Sequence, residues 1–263
     1  MYELAQRVAA LDAQDGDDVG SDVNQFISVL AEVVSFGTED VSEMPKWRPG
    51  DADRVLARCR LLARLGSAVP EIVSGPLDRS AQYWISAEKP GHLPPNVPVL
   101  DAEHFRPVSM APPRANSTKP FTFGLYTSTG FMGTQGMWRA YLDLYEGSAV
   151  PPPVWHVWAL TARQDAAVLE ITTATEWAAF IDRFPAETGG LLYPDWQAVA
   201  TQFDAVHMTI RAIAAVQGLC FYVLNGITAP AYWDVEATFW LRWCLETYEL
   251  AEVVCGPEDP GRP

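Results

Sequence analysis

Hydrophobic residues recur along the chain with two alternating periods. Val23, Phe26, Ile27, Leu30, Val33 and Val34 fall at helical spacing, which predicts an amphipathic helix over 22–36. A second helix is predicted from Asp51 to Leu65, with Gly66 as its C-terminal stop. Between 66 and 120 prolines are frequent, so only short extended pieces are expected there, at Gln82–Ser86 and Val97–Leu100. Beyond that point strands predominate: Phe121–Thr129, Val154–Leu160, Ala167–Ile171, Ala205–Thr209, Cys220–Leu224, Thr238–Trp243 and Tyr248–Val254. The last two are close enough in sequence to pair as a hairpin, although Phe239–Leu245 fits a helical period as well. Short helices are expected over Gly136–Tyr145, over Trp177–Arg183 behind the capping box Thr173-Ala-Thr-Glu176, and over Trp196–Gln202 behind Asp195. No segment repeats at a fixed period, and strands do not alternate regularly with helices. The pattern predicts an α+β fold, divided into a helical N-terminal region (1–75) and a mixed domain (76–263).

Length and composition support a globular core. The chain has 263 residues, of which 49% are hydrophobic and 19% charged, so bulk disorder is excluded. Its formal net charge of −15 disfavours a phosphate-backbone footprint, and with it nucleic acid and anionic membranes as partners. The first 43 residues carry ten acids against one base, a surface suited to a basic protein partner. Six of the 18 cations fall between Lys46 and Arg64, where they read as a solvated helix face paired with that acidic segment. The start has no signal-peptide pattern and no membrane helix is read along the chain, so a cytoplasmic protein is expected. Cys59, Cys220, Cys244 and Cys255 occur singly, without the spacing of a zinc site, and read as reduced, buried thiols.

Nucleotide-binding glycine loops, the serine-hydrolase elbow and the zinc-protease motif are all missing. His207 alternates with apolar neighbours and reads as a satisfied structural histidine. Three segments remain: His104-Phe105-Arg106-Pro107-Val108, the hydroxyl-rich Phe123-Gly124-Leu125-Tyr126-Thr127-Ser128-Thr129-Gly130, and Ala231-Tyr232-Trp233-Asp234-Val235-Glu236 ahead of an aromatic strand. On an extended chain Asp234 and Glu236 point to one side, where like charges repel and burial raises a carboxyl pKa.

In this order the segments resemble the mono-ADP-ribosyltransferase superfamily of the arginine–serine–glutamate type, over roughly residues 97–255. The Leu125–Ser128 segment also looks like the RES-domain toxins that consume NAD. The resemblance implies a split β-sheet core that takes NAD as its substrate. It implies Arg106 on the first strand as the NAD anchor, with Arg79 and Arg114 as alternatives. Ser128 would shape the nicotinamide pocket with Thr127, Thr129 and Gly124. Glu236 would be the catalytic carboxylate, and Asp234 would sense the acceptor. Tyr126 or one of Trp138, Tyr232 and Trp233 would stack on nicotinamide. The triplet is Thr-Ser-Thr rather than Ser-Thr-Ser, and position 234 is Asp where the family has Gln or Glu. The implied activity is transfer of ADP-ribose to a protein or small-molecule acceptor, or to water. Two alternatives stand beside it: a catalytically silent interaction module on the same fold, and a carbohydrate-active enzyme using Asp195, Asp234 or Glu236.

Overall fold

A computed structural model describes residues 51–68, 70–75, 77–87, 100–111, 120, 123–131, 135–139, 154–230, 233 and 235–254. The predicted helix at 22–36, the acidic first 43 residues, Asp234, Tyr232, Arg114 and Cys255 lie outside these residues. Helices α1 (Asp51–Ala68) and α2 (Pro70–Ser74) come first. Strands β1 (Gln82–Ala87), β2 (Leu125–Thr129), β3 (Trp155–Ala162) and β4 (Val168–Ile171) follow. Next come α3 (Ala174–Arg183), β5 (Pro185–Thr188), β6 (Leu191–Pro194), α4 (Trp196–Ala200), β7 (Ala205–Met208) and α5 (Ile210–Val216). The described part closes with β8 (Phe221–Val223), β9 (Gly226–Thr228), β10 (Ala237–Trp240) and β11 (Leu245–Val254).

Two sheets result, and the fold is α+β. The larger has seven strands in the order β11-β3-β1-β2-β10-β7-β4, and the smaller has four in the order β5-β6-β9-β8. In the large sheet every pairing is antiparallel except β4 with β7, which the α3 crossover makes parallel. Its central strands are covered on both faces. Val206, Met208, Ala237 and Phe239 join a cluster with Trp177, Phe180, Trp196 and Trp233, while Ala205 and Trp240 join Leu125, Leu160 and Leu245 on the other side. Period-two alternation thus feeds two cores, and β7 and β10 are buried at every position.

Several boundaries follow from side-chain chemistry. Thr173 accepts a hydrogen bond from the Glu176 amide, and the Glu176 carboxylate takes the Thr172 and Thr173 amides in return. The Thr172 hydroxyl, which donates to the same carboxylate at 2.7 Å, and these amides hold the Glu176 carboxyl below its ordinary value. The capping box aims Trp177, Phe180 and Ile181 into the core. Thr173→Ala is expected to cost about 1 kcal/mol, read as a lower urea midpoint at unchanged slope. Asp195 caps α4 in the same manner, accepting from the Ala198 amide at 3.0 Å.

Four expectations are corrected. Gly66 does not stop α1, which runs on to Ala68; its bare Cα faces Val73 of α2, 3.7 Å from where a Cβ would stand. β10 and β11 form no hairpin, because both edges of β10 are taken by β2 and β7, and β11 pairs with β3 instead. Arg58 is no solvated cation: it is buried, and Nη1 donates to the Gln217 carbonyl at 2.7 Å beyond the end of α5. Of the described cysteines only Cys244 is buried, while Cys59 is exposed. The small sheet was mostly invisible to alternation. Its β5–β6 hairpin turns on Gly189 and Gly190, both at positive φ, which is the signature of a two-residue hairpin turn.

Candidate active site

Glu236 stands one residue before β10, whose register sets Thr238 opposite Thr127 of β2. Its carboxylate therefore falls at the end of β2. Oε2 accepts two hydrogen bonds of 2.9 Å, from Ser128 Oγ and from the Thr129 amide. Ser128 Oγ in turn accepts from the Met137 amide at 2.7 Å. Ser128 is wholly buried and Glu236 is 4% exposed. Two residues 108 apart in sequence are thus joined through their side chains. Gly136 closes over the serine: its φ is +82°, and a Cβ there would sit 2.7 Å from Ser128 Oγ.

The second carboxylate oxygen differs from the first. Oε1 is buried and accepts no hydrogen bond among the described residues. Its near neighbour is His207 Nδ1, 3.4 Å away on β7. The same nitrogen lies 3.0 Å from Thr238 Oγ1, and Nε2 lies 3.0 Å from the Gly75 carbonyl, just past α2. Burial pushes the Glu236 carboxyl above its ordinary value of 4.5; the His207 charge and the bonds from Thr129 and Ser128 pull it partly back.

A second polar group is buried alongside. Gln82, at the start of β1, accepts a hydrogen bond from Thr127 Oγ1 and donates at 2.8 Å to Thr129 Oγ1. Trp240 Nε1 donates to Thr127 at 2.8 Å. Thr127 is therefore committed to the sheet interior, and Thr129 is tied by hydroxyl and amide to Gln82 and Glu236. Gly124 is required by packing: at φ +72° a Cβ would stand 2.3 Å from Phe239 Cε2 and 2.6 Å from the Trp240 carbonyl oxygen. Tyr126 stacks on Phe239 with centroids 4.2 Å apart and planes 3° from parallel, so that ring face is taken. Burial holds its phenol far above the usual range. Trp233 is wholly buried against Trp177 and Trp196 and belongs to the core, not to a stacking surface.

Arg106 is separated from the Ser128–Glu236 pair. It sits in a loop rather than on the first described strand, β1, which contains no arginine. Its carbonyl accepts from the Gly124 amide, and its guanidinium lies over Phe123, 4.5 Å from the ring centroid. Gly124 precedes Ser128 by four residues, roughly 13 Å of extended chain at about 3.3 Å each. A cavity of about 150 Å³ beside Arg106 is lined by Trp84, Asp101, His104 and Phe105, and does not touch Ser128 or Glu236. Arg79 reaches the Ala166 carbonyl at 3.2 Å. The residues that complete the surroundings of the Ser128–Glu236 pair are ones the sequence did not single out: Gln82, Gly136, the Met137 amide, and His207 in a second role. Nothing local marks Gln82 or Gly136; they are set by strand pairing and by backbone approach.

The described residues include no helix long and apolar enough to cross a membrane. No protein-family model matches the chain, and neither curated proteins nor solved structures yield a match.

Proposed function

We propose that this chain cleaves NAD and transfers ADP-ribose to a protein or small-molecule acceptor, with water as the acceptor in a glycohydrolase variant. One observation carries the reading. Glu236 presents a buried carboxylate oxygen with no hydrogen-bond donor among the described residues, while its other oxygen is fixed by Ser128 and Thr129. A ribose hydroxyl is a donor of the size and polarity that fits such an atom.

In the reaction the bond between ribose C1′ and the nicotinamide nitrogen breaks, and its electron pair leaves with nicotinamide, which becomes neutral. The ribose acquires oxocarbenium character, as in glycoside cleavage. The acceptor attacks C1′ and gives up its proton. In this reading ionised Glu236 stabilises that cation and orients the ribose hydroxyl, and the bond from Ser128 holds the carboxylate. A charge held in advance by two donors needs no reorganisation when the cation forms. Because Arg106 lies at the far end of β2, the reading rests on Ser128 and Glu236 and not on a pyrophosphate anchor.

The near-complete burial of Ser128 and Glu236 favours a second reading, a catalytically silent interaction module in which the pair clamps β2 to β10. Incubation with NAD labelled in both halves separates the two. Nicotinamide release, with or without label transfer, supports catalysis. If neither appears over a panel of protein and small-molecule acceptors, and excess NAD leaves the melting temperature unmoved, the silent module stands. A ligand at 100 times its Kd adds about 2.7 kcal/mol to native stability.

A further inference from the structure

His207 is more than a filled core position. Its Nε2 faces a backbone carbonyl, Gly75 O, at 3.0 Å. A carbonyl only accepts, so Nε2 carries a hydrogen. This commits the ring: in its neutral form Nδ1 bears a lone pair, and only the imidazolium has a proton there. Nδ1 lies 3.0 Å from Thr238 Oγ1 and 3.4 Å from Glu236 Oε1. Both His207 and Glu236 are buried, at 0% and 4% exposure.

Two of the possible proton counts across the Oε1–Nδ1 gap are unfavourable. With no proton, a carboxylate oxygen meets a nitrogen lone pair. With two, a buried imidazolium faces a neutral acid. With one proton the gap is satisfied, as a carboxylic acid against a neutral ring or as a carboxylate against an imidazolium. Few other charges face this pair among the described residues. β2 offers Glu236 only the neutral Ser128 and Thr129. On β4 the register partner of His207 is Glu170, which is exposed. In the segment carrying Gly75, Asp78 takes the Ser80 amide and hydroxyl, and Arg79 turns to the Ala166 carbonyl.

We propose that His207 is the positioning residue and proton partner of Glu236, its tautomer fixed by Gly75 so that a single proton passes between Glu236 Oε1 and His207 Nδ1. Before the bond from ribose C1′ to nicotinamide breaks, the Oε1–H bond breaks and an Nδ1–H bond forms, which leaves the carboxylate charged without an unpaired buried anion. After the acceptor attacks, the proton on Nδ1 returns to Oε1 and restores the starting state, while the proton the acceptor gives up leaves to solvent. The inference rests on the reading of Glu236 as the catalytic carboxylate. It also assigns a task to the segment after α2, because the Gly75 carbonyl selects the tautomer.

The test has two arms. In the first, nicotinamide release is followed against pH for the parent, His207→Asn and His207→Phe. An opposite charge within about 4–6 Å lowers a carboxyl pKa by roughly 1–3 units, so its loss should move the acid limb upward by about that much in both variants. His207→Asn should keep the bond to Thr238 and the parent melting temperature more nearly than His207→Phe does. A folded His207→Asn protein whose acid limb stays in place overturns the proposal while the activity stands. The second arm needs neither NAD nor a histidine variant. Nitrogen NMR of the His207 ring in the parent should show the Nε2–H tautomer, and Glu236→Gln should move the Nδ1 resonance. An Nδ1–H tautomer, or an Nδ1 resonance that Glu236→Gln leaves unchanged, overturns the proposal whether or not NAD is cleaved.

Discussion

Glu236→Gln is expected to lower nicotinamide release by about 100–1,000-fold, the usual cost of removing one preorganised charge from a reaction centre. The fold should survive, because the amide keeps the shape of the carboxylate and its oxygen can still accept from Ser128 Oγ and the Thr129 amide. The larger loss in kcat than in the affinity for NAD would mark a charge felt mainly in the transition state. The same variant tests burial through stability. The native Glu236 carboxyl titrates above its ordinary value of 4.5, chiefly because it is desolvated. Between 4.5 and that raised value the folded protein binds more protons at this site than the unfolded chain. Its contribution to stability is therefore present at low pH and is lost as pH rises through that window. Glu236→Gln should remove this fall and be at least as stable as the parent at neutral pH. Glu236→Ala should instead be destabilised by about 1–3 kcal/mol, since it orphans the Ser128 hydroxyl and the Thr129 amide. Melting curves from acid to neutral pH for the three proteins decide it. A parent whose pH dependence matches that of Glu236→Gln would contradict the buried carboxylate.

Gly124→Ala is expected to cost roughly 2–5 kcal/mol, and with it a melting temperature lower by on the order of 10 °C. Two effects combine. The residue has φ +72°, a left-handed conformation that costs an L side chain about 1–2 kcal/mol. The new methyl would also enter the ring of Phe239 and the Trp240 carbonyl, and neither can withdraw. Phe239 is stacked on Tyr126 and met edge-on by Trp196, and β10 is held between two strands. Gly189→Ala provides the control. Its φ is +62° but its Cβ would meet nothing within 4 Å, so only the conformational cost should appear. Equal losses for the two variants would show that the β2–β10 contact is looser than described. The strand that carries Ser128 is thus placed by Gly124 at one end and by Gly136 near the other.

The contrast between local and non-local signals explains how far the chain could be read. β2, β3, β7 and α3 were legible because alternation, β-branching and the capping box act over a few residues. The pairing of β10 was not, since its two buried faces give no period and nothing local says which strands flank it. Ser128 and Glu236 were singled out through resemblance and the order of the motifs, but not the hydrogen bond between them. His207 was seen but read as structural, because its hydrogen bonds to Thr238 and Gly75 satisfy that description; what the sequence lacked was the 3.4 Å approach of Glu236 across the β7–β10 register. Arg106 was chosen as the cation following an extended run, yet a loop carries it to the opposite end of β2. Trp233 shows the same limit for aromatics, since ring chemistry alone does not separate a stacking platform from a core residue.

A structure of the Glu236→Gln protein with intact NAD tests the central claim most directly. The account predicts the nicotinamide ribose within hydrogen-bond distance of residue 236, at the atom replacing the unpaired Oε1, with Ser128 still holding the other. Dinucleotide seated away from β2 and β10, or absent at saturating concentration while residue 236 stays sealed in packing, would contradict it.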